Sequence, residues 1–245
     1  MRSIGAFVLF FGGIFRRIES PSSLYQNSLQ ECIKVGYKSL FIVISVSLFT
    51  GAVSAIQTSF NLTSSYIQDY VVAMVVRDTV FSMMPTLIAL IYSGKVGSLI
   101  SGELGTMKVT EQIDALEVMG INAKSYLVLP KMIASQLMFP ILIIMAMSAA
   151  LFGGFLAIKF LDIISVTDYI RGVRTNFNPF TVTIFMIKAA LFGLLVPSIS
   201  SFHGFGVRGG ALEVGKASTL AVIRCTIAVI VGDYLVTQLL ATSRY

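Results

Sequence analysis

Uncharged apolar runs and short polar breaks alternate along this chain clearly enough to count helices. No charged residue occurs between Lys38 and Asp69, and residues 40–56 of that interval form an apolar core. A second run, "TVFSMMPTLIALIYSG", lies between Asp78 and Lys95. The longest covers residues 132–158, between Lys131 and Lys159. Two more, residues 179–202 and 219–241, each carry embedded charge: Lys188 in the former, Arg224 and Asp233 in the latter. A helix crosses the hydrocarbon layer in about 20 apolar residues. The pattern therefore predicts an all-α polytopic membrane protein with five transmembrane helices. The N-terminal run "SIGAFVLFFGGIF" is short for a span, and Arg16 and Arg17 follow it rather than precede it. A signal peptide has the reverse order and a small-residue cleavage site. An interfacial helix on the membrane surface is the preferred reading. The expected organisation is one domain over 1–245, with an N-terminal interfacial region at 1–34 and a transmembrane core from 35 onward.

One polar break is unlike the others. "SGELGTMKVTEQIDALEVMG" carries Glu103, Lys108, Glu111, Asp114 and Glu117 between two apolar spans. With Thr110 as N-cap, Glu111 and Asp114 fall in the first turn, where carboxylates favour the positive helix end. Gly120 then suits the position just past the helix end. The predicted helix is about ten residues long, with Val109, Ile113 and Leu116 on one face. Glu111, Asp114 and Glu117 occupy an adjoining face. So short a helix is marginal alone in water and needs a partner. Acidic side chains disfavour anionic lipid, leaving packing within the chain or docking onto a soluble protein.

Composition agrees with the class. The chain is 56% hydrophobic and only 12% charged, about half the charge of a soluble domain. No basic cluster with interleaved aromatics supports nucleic-acid binding. Cys32 and Cys225 are far apart and His203 is the lone histidine, so a disulfide framework or a metal site is not expected. The positive-inside rule sets the orientation. Eleven Lys and Arg, among them Arg2, Arg16, Arg17, Lys34, Lys38 and Lys131, fall on the side of the N-terminus. Only Arg77, Lys159, Arg171, Arg174 and Arg244 fall on the other. The N-terminus is expected in the cytoplasm and the C-terminus outside. "HGFGVRGGALEVGKAS" is then a cytoplasmic loop, and its glycines read as a tight turn, lacking phosphate-loop spacing. Asn61, Leu62 and Thr63 match an N-glycosylation sequon.

Charges inside spans are costly and face a protein interior or a watery path. Lys188 and Asp233 are therefore expected to meet, as a structural pair or as part of a substrate path. Arg224 lies nine residues before Asp233, on roughly the opposite helix face. No GxxxxGK[ST] occurs, so ATP-driven work would have to come from a partner.

"SGKVGSLISGELGTMKVTEQIDALEVMGI", residues 93–121, resembles the signature of the MlaE/YrbE family of ABC-transporter permeases. "GGALEVGKAST", followed by "GDYLVTQLL", resembles that family's second signature, and Gln57 and Pro85 also fit. The resemblance implies a non-catalytic, homodimeric inner-membrane permease that moves phospholipids or related hydrophobic molecules between inner and outer membranes. It implies a cytoplasmic ABC ATPase that carries the ATP and Mg, no cofactor on this chain, and a periplasmic MCE-domain protein, with a small STAS-type cytoplasmic subunit as a further partner. It also implies that Glu111, Gln112, Ile113, Asp114, Ala115, Leu116 and Glu117 form the helix that couples to the ATPase. Family members often carry an Arg-Glu pair four and three residues before the span-two proline. Phe81 and Ser82 stand there instead, and the nearest charge pair is Arg77-Asp78, toward the outer interface. The rival readings are an ion-coupled secondary transporter using Lys188, Arg224 and Asp233, a passive anchor for a soluble complex, and, least supported, an intramembrane hydrolase.

Overall fold

The computed structural model describes residues 2–14, 21–62, 69–162, 164–175 and 177–242. Arg16, Arg17 and Arg244, used in the charge count, and Thr63 of the sequon lie outside them. Ten α-helices follow one another among the described residues: α1 (Arg2–Ile14), α2 (Pro21–Cys32), α3 (Lys38–Asn61), α4 (Asp69–Tyr92), α5 (Ser98–Val109), α6 (Gln112–Val118), α7 (Ala123–Leu161), α8 (Val166–Arg174), α9 (Pro179–Phe205) and α10 (Ala211–Thr242). Among the described residues, five continuous stretches are long and apolar enough to cross a membrane: Ser23–Asn61, Asp69–Val109, Ala123–Leu161, Pro179–Phe205 and Ala211–Leu240.

These stretches outrun the apolar runs because a helix does not stop where the hydrocarbon stops. Nothing in "QNSLQECIKVGYK" breaks a helix, so α2 feeds through a π-helical turn, Ile33–Tyr37, into α3. Residue 34, the expected edge of the N-terminal region, lies inside this continuous helical stretch. A second π-helical turn, Ser93–Gly97, joins α4 to α5. Both turns contain Lys-Val-Gly, with Val35 and Val96 fully buried. The Lys95 ammonium donates to the Lys38 carbonyl and ties the two turns together.

The central packing is α3 against α7. The buried positions of α3 are Ser39, Val43, Ser47, Gly51, Ala55 and Ser59, one every four residues. Small residues at this spacing let membrane helices approach closely. A Cβ on Gly51 would overlap the Ala150 carbonyl, and one on Gly153 the Leu48 carbonyl. Gly172 of α8 lies equally close to the Tyr70 carbonyl of α4. Around this seam Tyr92, Phe139, Phe192, Met84 and Ile143 fill the core. Tyr92 also shares a 2.6 Å hydrogen bond with Ser135.

Helix α1 lies against α7 and α9. Phe10 and Ile14 bury among Val128, Leu129 and Met132, while Val8 and Leu9 stay 62% and 78% exposed. Asn122 donates to the Gly13 carbonyl at 3.1 Å, satisfying the end of α1, and the Lys124 ammonium sits over the Phe10 ring. An apolar helix with one face on the bundle and the other open suits the interfacial position.

Candidate functional site

Helix α6 sits between the second and third spans and differs from its expected form at its start. Thr110 ends α5 rather than capping α6: its hydroxyl turns back to the Thr106 carbonyl at 2.9 Å. Glu111 is the N-cap, in the left-handed region at φ 59°, with no side-chain cap bond. The helix is seven residues long, Gln112–Val118, and only Asp114 of the expected acids falls in its first turn. The local reading failed because threonine can bond forward or backward, and the intact α5 offers the backward carbonyl first. The far end follows expectation. Gly120 has φ 79°, its N–H reaches the Glu117 carbonyl, and the Ile121 N–H reaches the Leu116 carbonyl, both at 3.0 Å. This is the Schellman closure that glycine permits.

The faces of α6 are sharply divided. Ile113 is buried, with Leu116 and Val109 partly so. Glu111, Gln112, Asp114, Ala115 and Glu117 are exposed. Two apolar side chains share that outer surface: Val118 is 88% exposed and Met119 is 72% exposed. Lys108 holds Asp114 at 2.5 Å across the turn. Glu103, grouped with these acids in the sequence, points elsewhere.

Glu103 belongs to a closed ring of four charges that sequence reading missed. Lys131 contacts Glu103 at 2.5 Å and Glu31 at 3.0 Å; Lys34 contacts Glu103 at 2.9 Å and Glu31 at 3.1 Å. The Lys131 side chain is 4% exposed and that of Glu31 12%. The ring ties α2 and its π-helical turn to α5 and α7, the helices on either side of α6. Its one sequence signal was Lys131, a charge at the mouth of an apolar span.

Lys188 of α9 and Asp233 of α10 stand 2.7 Å apart. Thr86 of α4 donates to the same Asp233 oxygen at 2.6 Å, so three spans meet there. Arg224 lies 3.1 Å from His203 instead, and is not part of this cluster. Replacing Lys188 with Met leaves Asp233 with a hydroxyl and no cation. The expected outcome is reduced assembly, read as a smaller monodisperse fraction on size exclusion. The double change Lys188→Met/Asp233→Asn should recover much of it. Normal assembly of Lys188→Met would instead move the pair out of the structural role.

Arg77 and Asp78 lie at the opposite end from α6. Arg77 is buried and bonds the Asp78 carboxylate at 2.8 Å. It also donates to the Val173 and Thr175 carbonyls at 3.0 and 2.6 Å. It therefore closes the C-terminal end of α8, the arrangement that a helix dipole favours. Tyr169 holds α8 from the other side, donating to the Leu151 carbonyl at 2.9 Å. Burial pushes its phenol up to about 12, so it stays a neutral donor.

Two cavities flank the α3–α4–α5 wall. One of about 450 Å³ lies between α3 and α4 and is lined by Thr50, Ser54, Gln57, Val80, Met83 and others. The second, of about 620 Å³, lies nearer α6 and includes Lys34, Lys38, Leu99 and Met107.

Comparison with known proteins fits this architecture. A probable ABC transporter permease protein of Rickettsia bellii is 32% identical over 239 residues, covering 97% of this chain and 92% of the relative. One of Synechocystis is 29% identical, covering 98% and 90%. The chloroplastic protein TRIGALACTOSYLDIACYLGLYCEROL 1 of Arabidopsis thaliana is 28% identical, covering 93% of this chain and 65% of the relative. The family described as Permease MlaE matches residues 28–239, and with five apolar spans around a short polar helix the chain belongs to that family of ABC-transporter permeases.

Proposed function

We propose that this chain is the membrane subunit of an ATP-driven lipid transporter, working as a homodimer in a bacterial inner membrane with its N-terminus in the cytoplasm. The observation that carries the proposal is the divided surface of α6. A seven-residue helix buries Ile113 inward and presents acids plus an uncovered Val118 and Met119 outward. Exposed apolar side chains rimmed by charge are what a protein partner covers. A cytoplasmic ATPase, holding the ATP and Mg, docks there. Its closure on ATP moves α6, and the ring of Glu31, Lys34, Glu103 and Lys131 carries that motion into three helices at once.

The α3–α4 cavity is the place for the lipid. Its Val and Met walls suit acyl chains, and Gln57 and Ser54 offer hydrogen bonds to a headgroup. Helix α8, pinned by Arg77, lies at the outer face, where a periplasmic MCE-domain partner would sit. The name of the Arabidopsis relative refers to a galactolipid, which agrees with a lipid substrate class.

The test is affinity purification from native membranes with identification of proteins and lipids by mass spectrometry. An ATPase should accompany the wild type and be lost from Glu111→Lys/Asp114→Lys and from Val118→Asp/Met119→Asp, while each variant stays monodisperse. Phospholipid should remain bound in all three. Wild type without any ATPase would sink the proposal. ATPase retention in both variants would remove α6 from the docking surface.

A further inference from the structure

The cavity nearer α6 has a different character from the α3–α4 cavity. Lys34 and Lys38 form one wall, and Leu99, Gly102, Thr106 and Met107 of the α5 region form another. The acid within reach, Glu103, is already held by two lysines. Lys34 spends two of its three N–H donors on Glu31 and Glu103. Lys38 is exposed and pairs with no carboxylate among the described residues. The ring's two lysines and two glutamates cancel, so Lys38 leaves the cavity with a net positive charge and Lys34 with one spare N–H donor, and the cavity complements an anion and not a cation.

Two exposed rings flank Lys38 along the chain. Tyr37 is 71% exposed and Phe41 is 84% exposed. Positions 37, 38 and 41 share one face at the start of α3, and Lys34 reaches the same cavity from the π-helical turn. The order along that face is phenol, charge, then a bare ring farther into the span. This matches the depth profile of a bilayer leaflet, from headgroup through interface to acyl chain.

From these features we infer that the cavity holds the headgroup of an anionic phospholipid from the leaflet on the α6 side. Its phosphate lies between the Lys34 and Lys38 ammonium groups, and an acyl chain runs past Leu99 and Phe41. The site stands apart from the α3–α4 cavity and does not depend on the transport proposal. A lipid there would touch the Lys34 arm of the four-charge ring, so its occupancy would register at the helices that carry α6.

The experiment is native mass spectrometry of the purified protein titrated with dioleoyl phosphatidylglycerol or dioleoyl phosphatidylcholine. One phosphatidylglycerol per chain should be held in clear preference to phosphatidylcholine. Lys38→Ala should weaken that binding roughly fivefold, the scale of one basic residue at a membrane surface, and Lys38→Glu should weaken it further. Thr106→Trp fills the cavity without changing charge and should have the same effect, while Val53→Trp in the α3–α4 cavity should not. Unchanged preference in Lys38→Glu overturns the inference. So does displacement of the lipid by equimolar glycerol 3-phosphate, which would mark a site for free phosphate esters. Loss of preference in Val53→Trp but not in Thr106→Trp overturns it as well, by assigning the lipid to the other cavity.

Discussion

Gly51→Leu, or Gly153→Val, is expected to leave almost no monodisperse protein after detergent extraction. Overpacking a core costs about 1–3 kcal/mol when neighbouring side chains can yield. Here the obstacles are backbone: the Ala150 carbonyl faces Gly51 and the Leu48 carbonyl faces Gly153. Helices α3 and α7 would have to separate along the whole seam, uncovering Ser47, Ala55, Ala146 and Ala150, which are now fully buried. Inside a bilayer no hydrophobic force pulls separated helices back, because lipid tails solvate them as well as each other. Gly215, which has open space where its Cβ would go, supplies the control. Gly215→Leu should extract and elute like the wild type. A monodisperse Gly51→Leu would show that the seam is softer than its geometry implies.

Lys131→Met should be the most destabilising single charge removal. It leaves Glu31 and Glu103 sharing Lys34 alone, with Glu31 nearly buried. Breaking a buried ion pair by removing one partner costs roughly 3–5 kcal/mol. Lys34→Met should cost less, since its side chain is 39% exposed and water replaces part of the lost partner. The discriminating measurement is a thermal melt of Lys131→Met, Glu31→Gln and the double variant. The double variant should melt above Lys131→Met alone, with a coupling of roughly 0.5–3 kcal/mol. Additive losses would mean that the four charges act separately and not as a ring.

The five spans were legible because a long uncharged run in a charge-poor chain has few other uses. Their ends were not, because hydrophobicity marks the bilayer and not the helix. The second apolar run stops near Gly94, yet its helix continues to Val109. The meeting of Lys188 with Asp233 could be anticipated, since each charge is stranded in an apolar helix. The four-charge ring could not. Glu31, Lys34, Glu103 and Lys131 come from three separate stretches, and apart from Lys131, at the mouth of a span, each one alone reads as ordinary surface charge. The small-residue seam was present as Ser47, Gly51, Ala55 and Ser59, but at a spacing of four that hydropathy does not register. At α6 the composition of the helix was readable and its first turn was not, because one hydroxyl had two carbonyls to choose between.

The bond from Asn122 to Gly13 spans 109 residues of sequence, and this sets an order of events during synthesis. Helix α1 leaves the ribosome well before Asn122, the side chain that closes its end. At about 5–20 residues per second, α1 waits on the order of 5–20 s for Asn122, and longer for the Phe202 and Phe205 rings that complete its seat. During that interval its apolar faces have only the membrane surface to cover them. Helix α1 must therefore be greasy enough to lodge in the interface unaided, yet short enough not to insert as a span. Thirteen residues satisfy both demands, and lengthening α1 by two apolar turns should scramble the topology of the newborn chain.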